Sequence, residues 1–167
     1  MSGTELLPVA GMRFYIGKTM ATSTSDFVAA DFTTLNASPD AWVEVDGWET
    51  MGPVGDAVSD IVTQLINRGR ATHQKGIADA PTMSNVFVKV PGDAGQTALI
   101  AAGAPSNKNN YTIRIKGNET GVTSPSYIYL LGLIMGTPEQ GGGGNTIRKL
   151  NVNIQINSNV VFVDAVP

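Results

Sequence analysis

Cysteine is absent from this 167-residue chain, and histidine occurs once, at His73. The first absence excludes a disulfide scaffold and a thiolate metal site, although it says little about compartment. The second leaves no pair of imidazoles to hold a metal and no basis for a Ser/His/Asp arrangement. Charge is nearly balanced, with 11 basic against 14 acidic side chains and a net of −3, so the chain as a whole does not read as a nucleic-acid binder. Long apolar runs are missing too, since Tyr127 to Met135 is about half of what a membrane span needs. The opening Met1-Ser-Gly-Thr-Glu-Leu-Leu-Pro8 has neither a basic n-region nor an apolar core, so the expectation is a soluble, cytoplasmically made protein without a signal peptide. A single domain burying about two-thirds of its unfolded surface is expected at this length.

What is present is mostly β, with one conspicuous exception. Asp93-Ala-Gly-Gln-Thr-Ala-Leu-Ile-Ala-Ala-Gly103 reads as a short helix, with Asp93 as N-cap and Gln96 where a capping-box partner reaches back. Gly103 and then Pro105 supply the stop. Around it lie strands: Met12, Phe14 and Ile16 alternate with Arg13 and Tyr15, and Trp42-Val-Glu-Val-Asp46 ends at Gly47. Residues 58–66 suit a strand or a helix by periodicity, and their β-branched content with the following Asn67-Arg-Gly69 favours a strand and turn. Val86, Val88 and Val90 share one face, as do Tyr111, Ile113 and Ile115. Tyr127–Met135 is apolar on both faces, so the core must cover one, and the helix or a neighbouring subunit the other. Lys149 to Asn157 alternates strictly, placing Leu150, Val152, Ile154 and Ile156 inward and Asn151, Asn153, Gln155 and Asn157 outward, and Val160–Val163 follows. The stretches 18–40, 46–57 and 137–145 read as long loops, which usually signals function or partner-dependent order.

Several motif-like features carry no chemistry. Gly11-Met-Arg-Phe-Tyr-Ile-Gly-Lys-Thr19 has five bulky residues between its glycines where a phosphate loop has four, and it alternates as a strand. The glycines 141–144 read as a flexible loop tip. Glu44 and Asp46 share a strand face, which reads as solvation rather than a carboxylate pair for catalysis or calcium. No enzymatic constellation is visible, and neither a catalytic residue nor a metal or cofactor is expected. The charge is unevenly spread, however: residues 1–60 carry nine acids against two bases, and residues 61–167 carry five acids against nine bases. A dipolar subunit with attracting ends is the sharper reading of that asymmetry, and chance is the blander one.

From residue 42 onward the order of features resembles the tail tube proteins of long-tailed bacteriophages. The resemblance runs through Trp42-Val-Glu-Val, Gly52-Pro-Val-Gly-Asp56, Ile61–Leu65, Gly69-Arg70, Lys75-Gly76 and the Asp93-Ala-Gly-Gln helix start. It continues with the Tyr-containing strand at 111–116, Gly142-Gly-Gly-Asn-Thr and the strand Lys149-Leu-Asn-Val-Asn-Ile-Gln-Ile-Asn157. It implies a mainly β fold over 1–167, a β-sandwich or partial barrel with one short flanking helix and an N-terminal arm at 1–8. Six copies would form a ring with a shared inner β-barrel, and rings would stack into the virion tail tube that conducts DNA, assembled in the host cytoplasm. Porins of about 16–18 strands admit only small solutes, so a chain of about eight strands must pool strands across copies to enclose a duplex.

By resemblance the partners are further copies of the chain and tape measure, tail tip and tail terminator proteins, while double-stranded DNA passes without specific binding and no membrane is engaged. Candidate inter-ring contacts are Glu44, Asp46, Trp48, Glu49, Met51, Arg68, Arg70 and Lys75. The neutral row Asn151, Asn153 and Gln155 is the candidate lumen lining, with the outer tube surface as its alternative. Two other readings stay open: the tube of a contractile injection system, and an unrelated β-sandwich binding module, for which Trp42 and Trp48 would be the tryptophans available.

Overall fold

In chain order the elements are β1 (Arg13–Thr19), α1 (Ala29–Leu35), β2 (Val43–Val45), β3 (Trp48–Thr50), β4 (Ala57–Leu65), β5 (Arg70–Asp79), β6 (Met83–Val88), α2 (Ala94–Ala102), β7 (Asn110–Lys116), β8 (Tyr127–Gly136), β9 (Glu139–Gln140), β10 (Lys149–Ile156) and β11 (Val161–Val163). This computed structural model describes residues 6–167, so the first five residues of the expected N-terminal arm lie outside the described part.

An antiparallel sheet runs β2-β1-β7-β8-β10-β6-β3, with β11 added to β8 and β9 to β10. Its two edge strands, β2 and β3, are consecutive in sequence and separated only by Asp46 and Gly47. The sheet therefore curls until its edges meet at one turn, and because β2 and β3 do not pair it stays a partial barrel. Gly47 makes that turn possible. Its φ is +78°, and a Cβ there would lie 2.4 Å from the Val88 carbonyl oxygen, while its own carbonyl accepts from Val88 N–H at 2.7 Å.

The enclosed core joins Phe14 and Ile16 of β1, Phe87 of β6, Ile113 and Ile115 of β7, Leu130 and Ile134 of β8, and Leu150, Val152, Ile154 and Ile156 of β10. The alternation expected for β1, β7 and β10 holds. On β6 Val86 and Val88 do share a face, half-buried, while Met83, Asn85 and Phe87 point inward from the other. The larger Phe87 takes the core, against Phe14 at 5.4 Å between ring centroids.

Helix α2 closes the seam where the edges meet. Asp93 caps it as expected, its Oδ2 accepting from Gln96 N–H at 2.8 Å, and Gly103 N–H donates to Leu99 O at 2.9 Å where it stops. The expected capping box is not formed. Gln96 turns inward instead, donating to the carbonyls of Asp46 (2.9 Å) and Val88 (2.7 Å) and accepting from Val90 N–H (3.1 Å). One buried amide thus ties the β2–β3 turn to the end of β6. Gly95 allows the close approach, because a Cβ there would sit 2.2 Å from Glu44 O.

The sheet carries two helices, not one. The stretch 18–40, read as irregular, contains α1, opened by Val28 N–H donating to Asp31 Oδ2 at 2.8 Å. Phe32 is its one buried side chain, stacked on Tyr129 of β8 at 5.6 Å. With Leu131 they form a second small core on the outer face of the sheet. The double-sided apolarity of β8 is thereby resolved within one chain: α1 covers Tyr129 and Leu131, and the main core covers Leu130 and Ile134. Asn36, buried, fastens the helix end by accepting from Lys18 N–H (2.9 Å) and donating to Phe32 O (3.0 Å) and Thr112 Oγ1 (3.1 Å).

Candidate functional site

Strands β4 and β5 form a separate two-stranded sheet, paired from Ala57↔Asp79 to Leu65↔Arg70. Asn67-Arg-Gly69 turns it as the sequence suggests, with Gly69 at φ +59° and Arg68 N–H donating to Leu65 O at 3.1 Å. No residue from 57 to 79 is buried. Apolar side chains stand in solvent along it: Val58, Ile61 and Val62 are about half exposed, Ile77 is 83% exposed, and Ile66 at the turn is fully so. A lone two-stranded hairpin in water is marginally stable at best, and apolar side chains left bare together mark a surface suited to contact with another molecule. His73 lies on it, exposed, with Nδ1 2.7 Å from Asp60 Oδ2.

The candidate contact residues fall into two groups. Arg68, Arg70 and Lys75 all lie on the hairpin, exposed. The others cluster where the sheet edges meet. Glu44 is held by Arg13 (3.1 Å), which raises the Arg13 pKa above its ordinary value. Asp46 Oδ1 accepts from Gly47 N–H at 2.8 Å. Glu49 pairs with Lys149 at 2.7 Å. Trp48 and Met51 pack against the core, Trp48 5.5 Å from Phe14 and donating from Nε1 to Asn85 Oδ1 at 3.3 Å. Trp42 lies in the α1 cluster beside Tyr129. Neither tryptophan forms the exposed aromatic platform that a carbohydrate-type binding module needs.

The outer face of the sheet is divided. α1 covers the part formed by Thr112, Tyr129 and Leu131. Beyond it the face is open: Leu133 and Met135 of β8, then Asn153 and Gln155 of β10, then Ser84, Val86 and Val88 of β6. Asn151, Asn153 and Gln155 are half-buried on this open part. Asn151 donates to Gln140 Oε1 (3.0 Å), and Gln155 donates to Ala80 O (3.2 Å) and accepts from Thr82 Oγ1 (2.9 Å), so these two amides are pinned by hydrogen bonds. Lys149 also belongs to this face, and Glu49 neutralises it.

Nearby cations are engaged as well. Arg148 and Lys89 both bind Glu139, the latter at 3.0 Å, and these hydrogen bonds hold the Glu139 carboxyl below its usual range. The Arg114 guanidinium lies over Tyr15 (4.3 Å), Trp42 (4.8 Å) and Tyr127 (5.5 Å) on the helix-covered part. Among the described residues there is no group of three or more potential metal-ligating side chains, and no helix is long and apolar enough to cross a membrane.

No family model matches the chain, and no curated protein matches it in sequence. Solved structures do match in shape. A chain in the anti-feeding prophage cap, a tube-terminating cap, superposes with a TM-score of 0.66 at 14% identity, covering 99% of this chain and 95% of that one. A chain in the sheath/tube terminator of an extracellular contractile injection system gives 0.66 at 10% identity, covering 96% and 99%. The SPP1 tail tube gives 0.61 at 11% identity, covering 96% of this chain and 81% of that one. The chain has the tail-tube fold. Identities this low carry the fold alone, and the likeness also takes in the described part before residue 42, where the sequence resemblance was weakest.

Proposed function

We propose that this chain is the structural subunit of a tail tube: six copies close into a ring, rings stack, and double-stranded DNA passes through the lumen without being held. The fold is that of tube and terminator assemblies, and it is used there as scaffold and not as catalyst. The observation that supports self-assembly is the β4–β5 hairpin, exposed on both faces and carrying apolar side chains that the other described residues leave uncovered. The open part of the sheet supplies the lumen lining in this reading. It has no helix over it, and its strands β10 and β6 present pinned neutral amides, Ser84, two valines and one self-neutralised ion pair. Such a surface offers passing phosphates little to grip, because counterion release, the main source of non-specific DNA affinity, needs free Lys or Arg. Tape measure, tail tip and terminator proteins would contact the tube at its lumen and ends.

Size against concentration tests the reading: rings and then filaments are expected as protein concentration rises, whereas a binding module stays monomeric or dimeric. Because two of the similar structures come from tube-terminating assemblies, a terminator role is the specific second reading. It predicts single rings that never stack. A tube subunit of a contractile system predicts tubes that also bind a sheath.

A further inference from the structure

The hairpin tip and the seam of the barrel are complementary in charge. At the tip Arg68 and Arg70 stand exposed, and among the described residues neither has an ion pair or side-chain hydrogen bond. At the seam lies a cleft of about 590 Å³ lined by Gly11, Met12, Arg13, Glu44, Asp46 and Asp93. Three carboxylates there face one guanidinium, an excess of two negative charges against the two positive charges of the tip. Asp93 is tied to Gln96 N–H and Asp46 N–H, and Asp46 to Gly47 N–H, so these two carboxylates are held in place by backbone groups. Among the described residues the only extensive packing of the hairpin is between its own two strands.

We propose that the hairpin of one copy docks its basic tip in the acidic seam cleft of another copy, with Ile66 against Met12. The proposal rests on the tube reading for the fact of assembly and adds which surfaces meet. Tip and cleft are different surfaces, so the contact is head-to-tail, and repetition of such a contact gives a closed ring or an open stack. Complementary charge fixes the register and suppresses tip-to-tip encounters.

A charge-reversal exchange tests it, read as the critical concentration for assembly by sedimentation. One variant carries Arg68→Glu with Arg70→Glu, the other Glu44→Lys with Asp46→Lys; Asp93 stays because it caps α2. Each alone is expected to raise the critical concentration by about tenfold or more, as like charges meet. An equimolar mixture, in which each tip finds a complementary cleft, and a single chain carrying all four changes are both expected to recover the wild-type value within about threefold. Circular dichroism and thermal melts check folding, and Glu44→Gln with Asp46→Asn replaces the cleft reversal if it does not fold; it then weakens assembly without rescuing the tip variant. Folded variants that assemble like wild type, or reversals that fail to rescue one another, overturn the docking alone. Wild-type protein that stays monomeric at every concentration overturns the docking and the tube reading together.

Discussion

Gln96 closes the barrel seam through three hydrogen bonds, to the backbone of the β2–β3 turn and of Val88 and Val90, and it is 2% exposed. Gln96→Leu keeps the bulk and leaves those backbone groups without partners, at a cost of about 2–4 kcal/mol. For a domain of this size that lowers Tm by roughly 5–10 °C in a thermal melt, and an unchanged Tm would show that the seam is held elsewhere. Glu49 instead pairs with Lys149 on the open face of the sheet. With Glu49→Gln, assembled protein is expected to retain duplex DNA at low salt, each freed cation changing log K by about 0.9 per decade of salt. Adding Lys149→Gln should abolish the retention, which a labelled-duplex binding assay reads directly. Glu119 gives a pH effect. Hydrogen bonds from the Ser126 hydroxyl and backbone N–H hold its carboxyl below the ordinary value of 4.5. A carboxyl lowered in the folded state stabilises above its unfolded pKa, and that stabilisation is lost as pH falls through the folded value. Urea midpoints should therefore drop on acidification below 4.5, and Ser126→Ala should flatten that drop.

Among the elements, the exposed hairpin β4–β5 is the one expected to gain protection from a partner. Its amides are expected to exchange rapidly in the monomer and slowly in the assembly, while β8 and β10 stay protected in both; equal protection of the hairpin in the two forms would contradict this. What was legible in the sequence follows from burial. β1, β7 and β10 each bury one face, so hydrophobicity recurs every second residue, and α2 carries its cap at Asp93 and its stop at Gly103. β5 has no buried residue, hence no periodicity, and Arg70–Asp79 showed only the turn that precedes it. α1 is seven residues long with one buried side chain, Phe32, too short for a helical period to repeat. On β6 the shared face of Val86 and Val88 was visible, but not that the opposite face, with Met83 and Phe87, takes the core. The two charge groups were visible as residues, but not that one lies on an arm and the other in a cleft, because that separation arises from the sheet curling back at Asp46-Gly47.

The whole molecule is a barrel that stops short of closing, flanked by two helices, with one arm and one half of a sheet face left bare. In the proposed ring, arms reach neighbours and open faces turn to a common axis. The claim that binds these together is the orientation of the subunit in an assembled tube. Cryo-electron microscopy of concentrated protein measures it most directly. The account predicts stacked rings with Asn151, Asn153 and Gln155 facing the axis, Phe32 and its helix outside, and the 57–79 hairpin buried between copies. Tubes whose lumen is lined by α1 or by Arg114 and Lys116, or protein that forms no rings at any concentration, would contradict it.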